Sequence, residues 1–85
     1  MSGKLVGHVT HYYTRLGVAV LDLTDSIRLG DVLHILGSTT DLRQVVRSMQ
    51  IEHEPVEEVS PGQEVALEVD RRVRPRDRVF RIDQE

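Results

Sequence analysis

The sequence predicts an all-β fold, a small barrel or sandwich, on three observations. Val, Ile and Leu, with Thr and Tyr among them, alternate with polar residues or run in short blocks, and no segment keeps a helical period. Turn signals recur about every ten residues, the spacing of short antiparallel strands. One turn-then-strand signature occurs three times, at Leu29-Gly30-Asp31-Val32-Leu33, Ser60-Pro61-Gly62-Gln63-Glu64-Val65 and Arg74-Pro75-Arg76-Asp77-Arg78-Val79. In each, glycine supplies a positive φ or proline pre-sets φ, so the chain reverses. The Asp or Gln that follows can hydrogen-bond the turn backbone. The next apolar residue, Val32 in the first case, is expected to point into the core.

The elements follow in order. A first strand covers residues 4–13, and Arg15-Leu16-Gly17 connects it tightly to a second over 17–24. Thr24-Asp25-Ser26 ends that strand, and the first repeated turn opens a third over 32–36. After the polar loop 37–41 comes a long strand over 42–53, whose length calls for a bend or bulge. Asp41 could instead cap a helix there. The β-branched Val45, Val46 and Ile51 and the lack of a clean polar face favour a strand. Pro55 closes the strand or lies on an edge, since it cannot donate to a ladder. The other two repeated turns open strands over 64–69 and 78–82, with a short helical turn possible over 70–73.

With 85 residues the chain is expected to form one domain over 1–85, its core over about 4–82 and its terminal residues frayed. A domain this small buries only about 60–65% of the surface its unfolded chain exposes, which disfavours a large internal active site. No cysteine is present, so thiolate chemistry and disulfides are excluded. No apolar run approaches the ~20 residues of a membrane span, and the first residues lack a signal core; a cytoplasmic location is expected. The net charge is −3, but the charges are segregated. Residues 52–70 hold seven acids and no Lys or Arg; residues 71–81 hold six arginines against Asp77 alone. These are either two solvated faces that attract each other across the fold or a basic strip that touches phosphate.

The three turns, in order and with the long strand 46–51 before the second, resemble domain II of elongation factor Tu and other translational GTPases. The resemblance spans residues 4–82 and implies a six-to-seven-stranded closed antiparallel β-barrel. A similar barrel occurs as an accessory C-terminal domain in collagenase-type (U32 class) peptidases. No Gly-x-x-x-x-Gly-Lys-Ser/Thr loop is present, so no nucleotide and no cofactor are expected. The positions that hold the aminoacyl end of tRNA in the family correspond here to Gln50, His53 and Glu64, all substituted. Glu64 would bring negative charge towards an RNA end.

The best candidate contact residues are Arg71, Arg72, Arg74, Arg76 and Arg78. By alternation Arg76, Arg78 and Phe80 share one face of the last strand, and Asp77, Val79 and Arg81 the other. His8 and His11 are three apart, which separates them on a regular strand unless a bulge intervenes. Glu52, Glu54, Glu57 and Glu58 read as a solvated loop, and Tyr12 and Tyr13 as rings covering a barrel end or as one inward and one outward ring. The chain is therefore expected to be a non-catalytic binding module, without metal or membrane, that contacts RNA or the ribosome through the arginines. The alternative is a protein-interaction module that docks a partner enzyme.

Overall fold

The computed structural model describes residues 3–82. The expected fraying of Asp83, Gln84 and Glu85 lies outside the described residues. Ten strands are formed: β1 (Gly3–Tyr13), β2 (Val18–Leu23), β3 (Ile27–Arg28), β4 (Val32–Leu36), β5 (Asp41–Val45), β6 (Met49–Ile51), β7 (Glu54–Val56), β8 (Glu58–Val59), β9 (Glu64–Glu68) and β10 (Arg78–Ile82). Eight of them make one antiparallel sheet in the order β5-β4-β10-β1-β2-β9-β6-β7, and β3 pairs with β8. Alternation places one side of each strand inside: Ala19, Leu21 and Leu23 on β2, Leu33 and Ile35 on β4, Val65 and Leu67 on β9. The core is aliphatic. Ile27 and Val59, the buried residues of the two-stranded sheet, belong to the same cluster.

The three repeated turns are one device. Gly30, Gly62 and Arg76 occupy equivalent positions with φ of 92°, 87° and 79°. The polar residue after each accepts a hydrogen bond from the backbone three residues before it. Arg28 N donates to Asp31 Oδ2 (2.9 Å), Ser60 N to Gln63 Oε1 (3.0 Å) and Arg74 N to Asp77 Oδ2 (2.8 Å). The residue three after the positive φ is fully inside in every case: Leu33, Val65 and Val79. This corrects the expectation for Val32, which is only half-buried; Leu33 takes the core position. The third turn also packs against the loop after β4. A Cβ on Gly37 would overlap Asp77, whose carboxylate is buried.

The long first strand bends by two bulges. Its register shifts against β10 between Leu5 and Gly7, and against β2 between Val9 and His11. Each bulge adds one unpaired residue, which increases twist and lets the strand wrap the core. The bulge expected in residues 42–53 is instead a break at 46–48. Val46 N donates to Asp31 O (2.8 Å) and Gly30 N donates to Val46 O (3.0 Å). The first turn thus takes both backbone groups of Val46 and draws the chain out of the ladder. β5 stays with β4, and β6 crosses to β9, where Met49 faces Leu67.

The closed six-to-seven-stranded barrel is therefore corrected. The ladder is open between β5 and the β6–β7 hairpin, and no strand pairing joins the two ends among the described residues. A side chain bridges the gap. Gln44, at an inward position of β5, donates from Nε2 to Glu68 O (2.8 Å) and accepts from Asp70 N at Oε1 (2.8 Å). Outside this clasp Arg47 pairs with Asp70 (2.6 Å). Residues 70–71 form a bend and no helical turn follows over 72–73. Pro55 lies on β7, the outermost strand at one end of the sheet, where its missing N–H is harmless.

Candidate functional site

The five predicted arginines are all exposed, but each is engaged differently. Arg71 and Arg72 lie in the connection between β9 and β10, where Arg71 helps line a polar slot with Asp41, Arg43 and Asp70. Arg74 donates from Nε to Thr39 Oγ1 (3.1 Å). Arg76 holds the positive φ of the third turn. Arg78 lies over the Phe80 ring, 5.8 Å from its centroid, so these two share a face as expected, whereas Arg76, expected with them, lies in the turn before β10.

The outer face around Phe80 is apolar. The register sets Leu5 beside Phe80 and Phe80 beside His34; in the next row Ile82, Val32 and Val45 lie side by side. Leu5 and Val45 are 50% and 46% exposed, so this is not a thin gap in a polar surface. Arg78 and Arg43 flank it, neither ion-paired among the described residues.

A second feature lies at the other end of the strand order. The outer faces of β2, β9 and β6 form a groove of ≈ 760 Å³. Val18, Val20 and Ala66 line its floor, Tyr13 and Leu16 one wall, and Ile51 the opposite side. The structure brings Gln50, His53 and Glu64 together on this groove, with Glu52 beside them. Sequence reasoning had not linked them to Tyr13 or Leu16, which come from the first hairpin. Ile51 pairs with Glu54, so Glu52 and His53 form a two-residue turn, with φ of 50° and 69°. Such turns favour Asn-Gly. A side chain in this left-handed region costs about 1–2 kcal/mol per residue, yet this chain places a carboxylate and an imidazole there.

Tyr12 packs against the core, whereas Tyr13 is 48% exposed and stacks on His11 with centroids 6.2 Å apart. The bulge at Thr10 turns His8 and His11 to the exposed side together. His34 is bonded to Asp41 (2.7 Å). Among the described residues no three His, Asp or Glu side chains are grouped to hold a metal ion. No helix is long and apolar enough to cross a membrane.

The clearest electrostatic perturbation is structural. Lys4 Nζ lies 2.8 Å from Asp25 Oδ2, and Ser26 N donates to Asp25 Oδ1 (2.7 Å). The bond from Lys4, then that from Ser26, hold the Asp25 carboxyl below its ordinary 3.8 against the opposing effect of desolvation. A depressed carboxyl stabilises the fold at pH values above its unfolded pKa and loses that contribution as pH falls through the lower folded value. Unfolding curves between pH 6 and 2 are expected to show a shallower acid limb for Asp25→Asn than for the wild type; parallel limbs would contradict this.

No protein-family model matches the chain. It is 35% identical over 80 residues to an uncharacterized protease of Methanocaldococcus jannaschii and 35% identical over 81 residues to a collagenase of Porphyromonas gingivalis. Each match takes in 93% of this chain but only 20% and 22% of the relative, so the chain spans about a fifth of the proteins it matches. Its fold is that of the C-terminal domain of a putative U32 peptidase from Geobacillus thermoleovorans, with a TM-score of 0.87 at 22% identity over 94% of this chain and 93% of that one. The resemblance to translation-factor domain II is corrected by these findings: the likeness lies with a peptidase-associated β domain. The ribosome contact and the tRNA-end role attached to the positions of Gln50, His53 and Glu64 rested on that resemblance and are withdrawn; for an RNA contact through the arginines these relatives offer no support.

Proposed function

We propose that this chain is a non-catalytic accessory module that docks on the catalytic part of a collagenase-type peptidase. The observation that carries the reading is the shape of the sequence match: nearly all of this chain against one fifth of a protease or collagenase. The bulk of those relatives lies outside the match and is the natural partner. The outer face of β1, β10, β4 and β5 suits such a contact. Leu5, Phe80, Ile82, Val32 and Val45 offer a contiguous apolar centre, and Arg43 and Arg78 offer a cationic rim, the usual anatomy of a protein interface.

Isothermal titration of the purified chain into the Porphyromonas gingivalis collagenase lacking its matched fifth tests the proposal. A saturable complex is expected, weakened about tenfold or more by Phe80→Asp or by Val45→Asp at the exposed sheet edge. The chain alone is expected to release no peptides from gelatin. Gelatin hydrolysis by the chain alone would overturn the non-catalytic reading. A complex indifferent to both substitutions would overturn the docking face.

A further inference from the structure

The groove on β2, β9 and β6 has no part in that contact, and its chemistry differs. Its floor runs across three strands along paired positions, Val20 facing Ala66 and Ala66 facing Gln50. Ala66 is the smallest side chain on the floor and leaves the most room above the sheet there. Tyr13 and Leu16, 48% and 70% exposed, stand as an apolar wall. Two carboxylates, Glu52 and Glu64, lie at the rim, and neither is ion-paired among the described residues. Glu52 is held there by the left-handed turn it shares with His53. Strain of this kind persists where the surrounding structure imposes it and concentrates at ligand contacts.

We propose that this groove binds an extended polypeptide segment of a partner protein that presents an apolar side chain flanked by Lys or Arg. The apolar side chain seats over Ala66 against Val20 and Leu16. The flanking cations meet Glu52 and Glu64, which would otherwise remain two unneutralised acids beside an apolar surface. The volume lies within the range of small-ligand sites, enough for a few residues but not for a folded domain. The same two carboxylates repel a phosphate backbone and so disfavour nucleic acid. The assignment holds whether or not the partner on the other face is a peptidase.

The test is a titration of the isotope-labelled chain with acetyl-Gly-Arg-Leu-Arg-Gly-amide, followed by amide chemical shifts at low salt. Saturable shifts are expected in β2, β6, β9 and the Glu52-His53 turn, with a Kd of about 1 mM or tighter. The doubly substituted Glu52→Gln, Glu64→Gln chain should bind about tenfold more weakly, and added salt should weaken the wild type. Ala66→Leu, which fills the floor without changing charge, should abolish the shifts while the spectrum remains that of a folded chain. Acetyl-Gly-Glu-Leu-Glu-Gly-amide should not bind. The proposal is overturned by absence of saturable shifts, by shifts confined to β10, β4 and β5, or by equal binding of the acidic peptide. It is also overturned by preferential binding of an oligoribonucleotide at the groove. Association with the collagenase fragment, measured on the same variants, should be unchanged, so a failure here leaves the docking reading intact.

Discussion

Replacing Gly7 by alanine is expected to destabilise the fold by about 3 kcal/mol or more. A chain of this length has roughly 4–13 kcal/mol of stability in total. Gly7 sits in β1 immediately after its first bulge, facing Leu23 of β2. A Cβ at this position would lie 2.3 Å from the Asp22 carbonyl oxygen and 3.1 Å from Leu23 Cα. Both obstacles are backbone, so a side-chain rotation cannot relieve them. The strand cannot retreat either, because β2 is held from behind by β9 in an unbroken register from Val18 to Asp22. Gly3→Ala is the milder comparison: its nearest obstacle is the Phe80 Cβ at 2.9 Å, with no backbone atom closer than 3.6 Å, and Gly3 is the first residue of β1, where the strand end can shift. Urea unfolding followed by far-ultraviolet circular dichroism should give a much lower midpoint for Gly7→Ala than for Gly3→Ala. A Gly7→Ala chain within about 0.5 kcal/mol of the wild type, the range of ordinary surface changes, would refute the close-approach argument.

Local rules made most of the architecture legible. The turn signatures predicted the inward Val65 of β9 and Val79 of β10, and they announced a shared hydrogen bond that the structure contains at Asp31, Gln63 and Asp77. What escaped depends on contacts distant in sequence. The strands β3 and β8 have two residues each, too few for a period, and exist because Ile27 and Val59 pair and become buried together. The break at 46–48 arises because the first turn takes both backbone groups of Val46, which no property of Val46 announces. The inward position of Leu33 instead of Val32 follows from counting from the positive φ, not from the first apolar residue. The groove joins the β1–β2 and β6–β7 hairpins to the start of β9, so Gln50, His53 and Glu64 gave no hint of Tyr13 or Leu16. The charge segregation was visible but its meaning was not. Arg47 and Arg81 are engaged by acids, whereas Arg43 and Arg78 flank an apolar face.

The open ladder makes Gln44 the second critical position. Removing its amide, as Gln44→Ala, is expected to destabilise the fold by about 1–3 kcal/mol, from one part-buried backbone acceptor and one part-buried backbone donor left without their partner together with a small cavity. The amide is suited to the place because it both donates and accepts. It satisfies Glu68 O and Asp70 N at once, as a neighbouring strand would, while its β5 backbone remains paired with Leu33. Gln44→Glu separates the two halves of that argument. A carboxylate still accepts from Asp70 N but repels Glu68 O, and it lies in the neighbourhood of Glu68 and Asp70, whose charges are partly neutralised by Arg47. Gln44→Glu is therefore expected to be at least as damaging as Gln44→Ala at neutral pH, and to recover in part on acidification, when the protonated acid can donate to Glu68 O. Amide hydrogen exchange gives a local readout besides the unfolding midpoint. Protection of the Asp70 amide should fall in Gln44→Ala by more than global destabilisation accounts for, because the clasp is its hydrogen-bond partner. If Asp70 protection followed global stability alone, and Gln44→Glu showed no pH-dependent recovery, the two ends of the sheet would be held by apolar packing and not by the Gln44 amide.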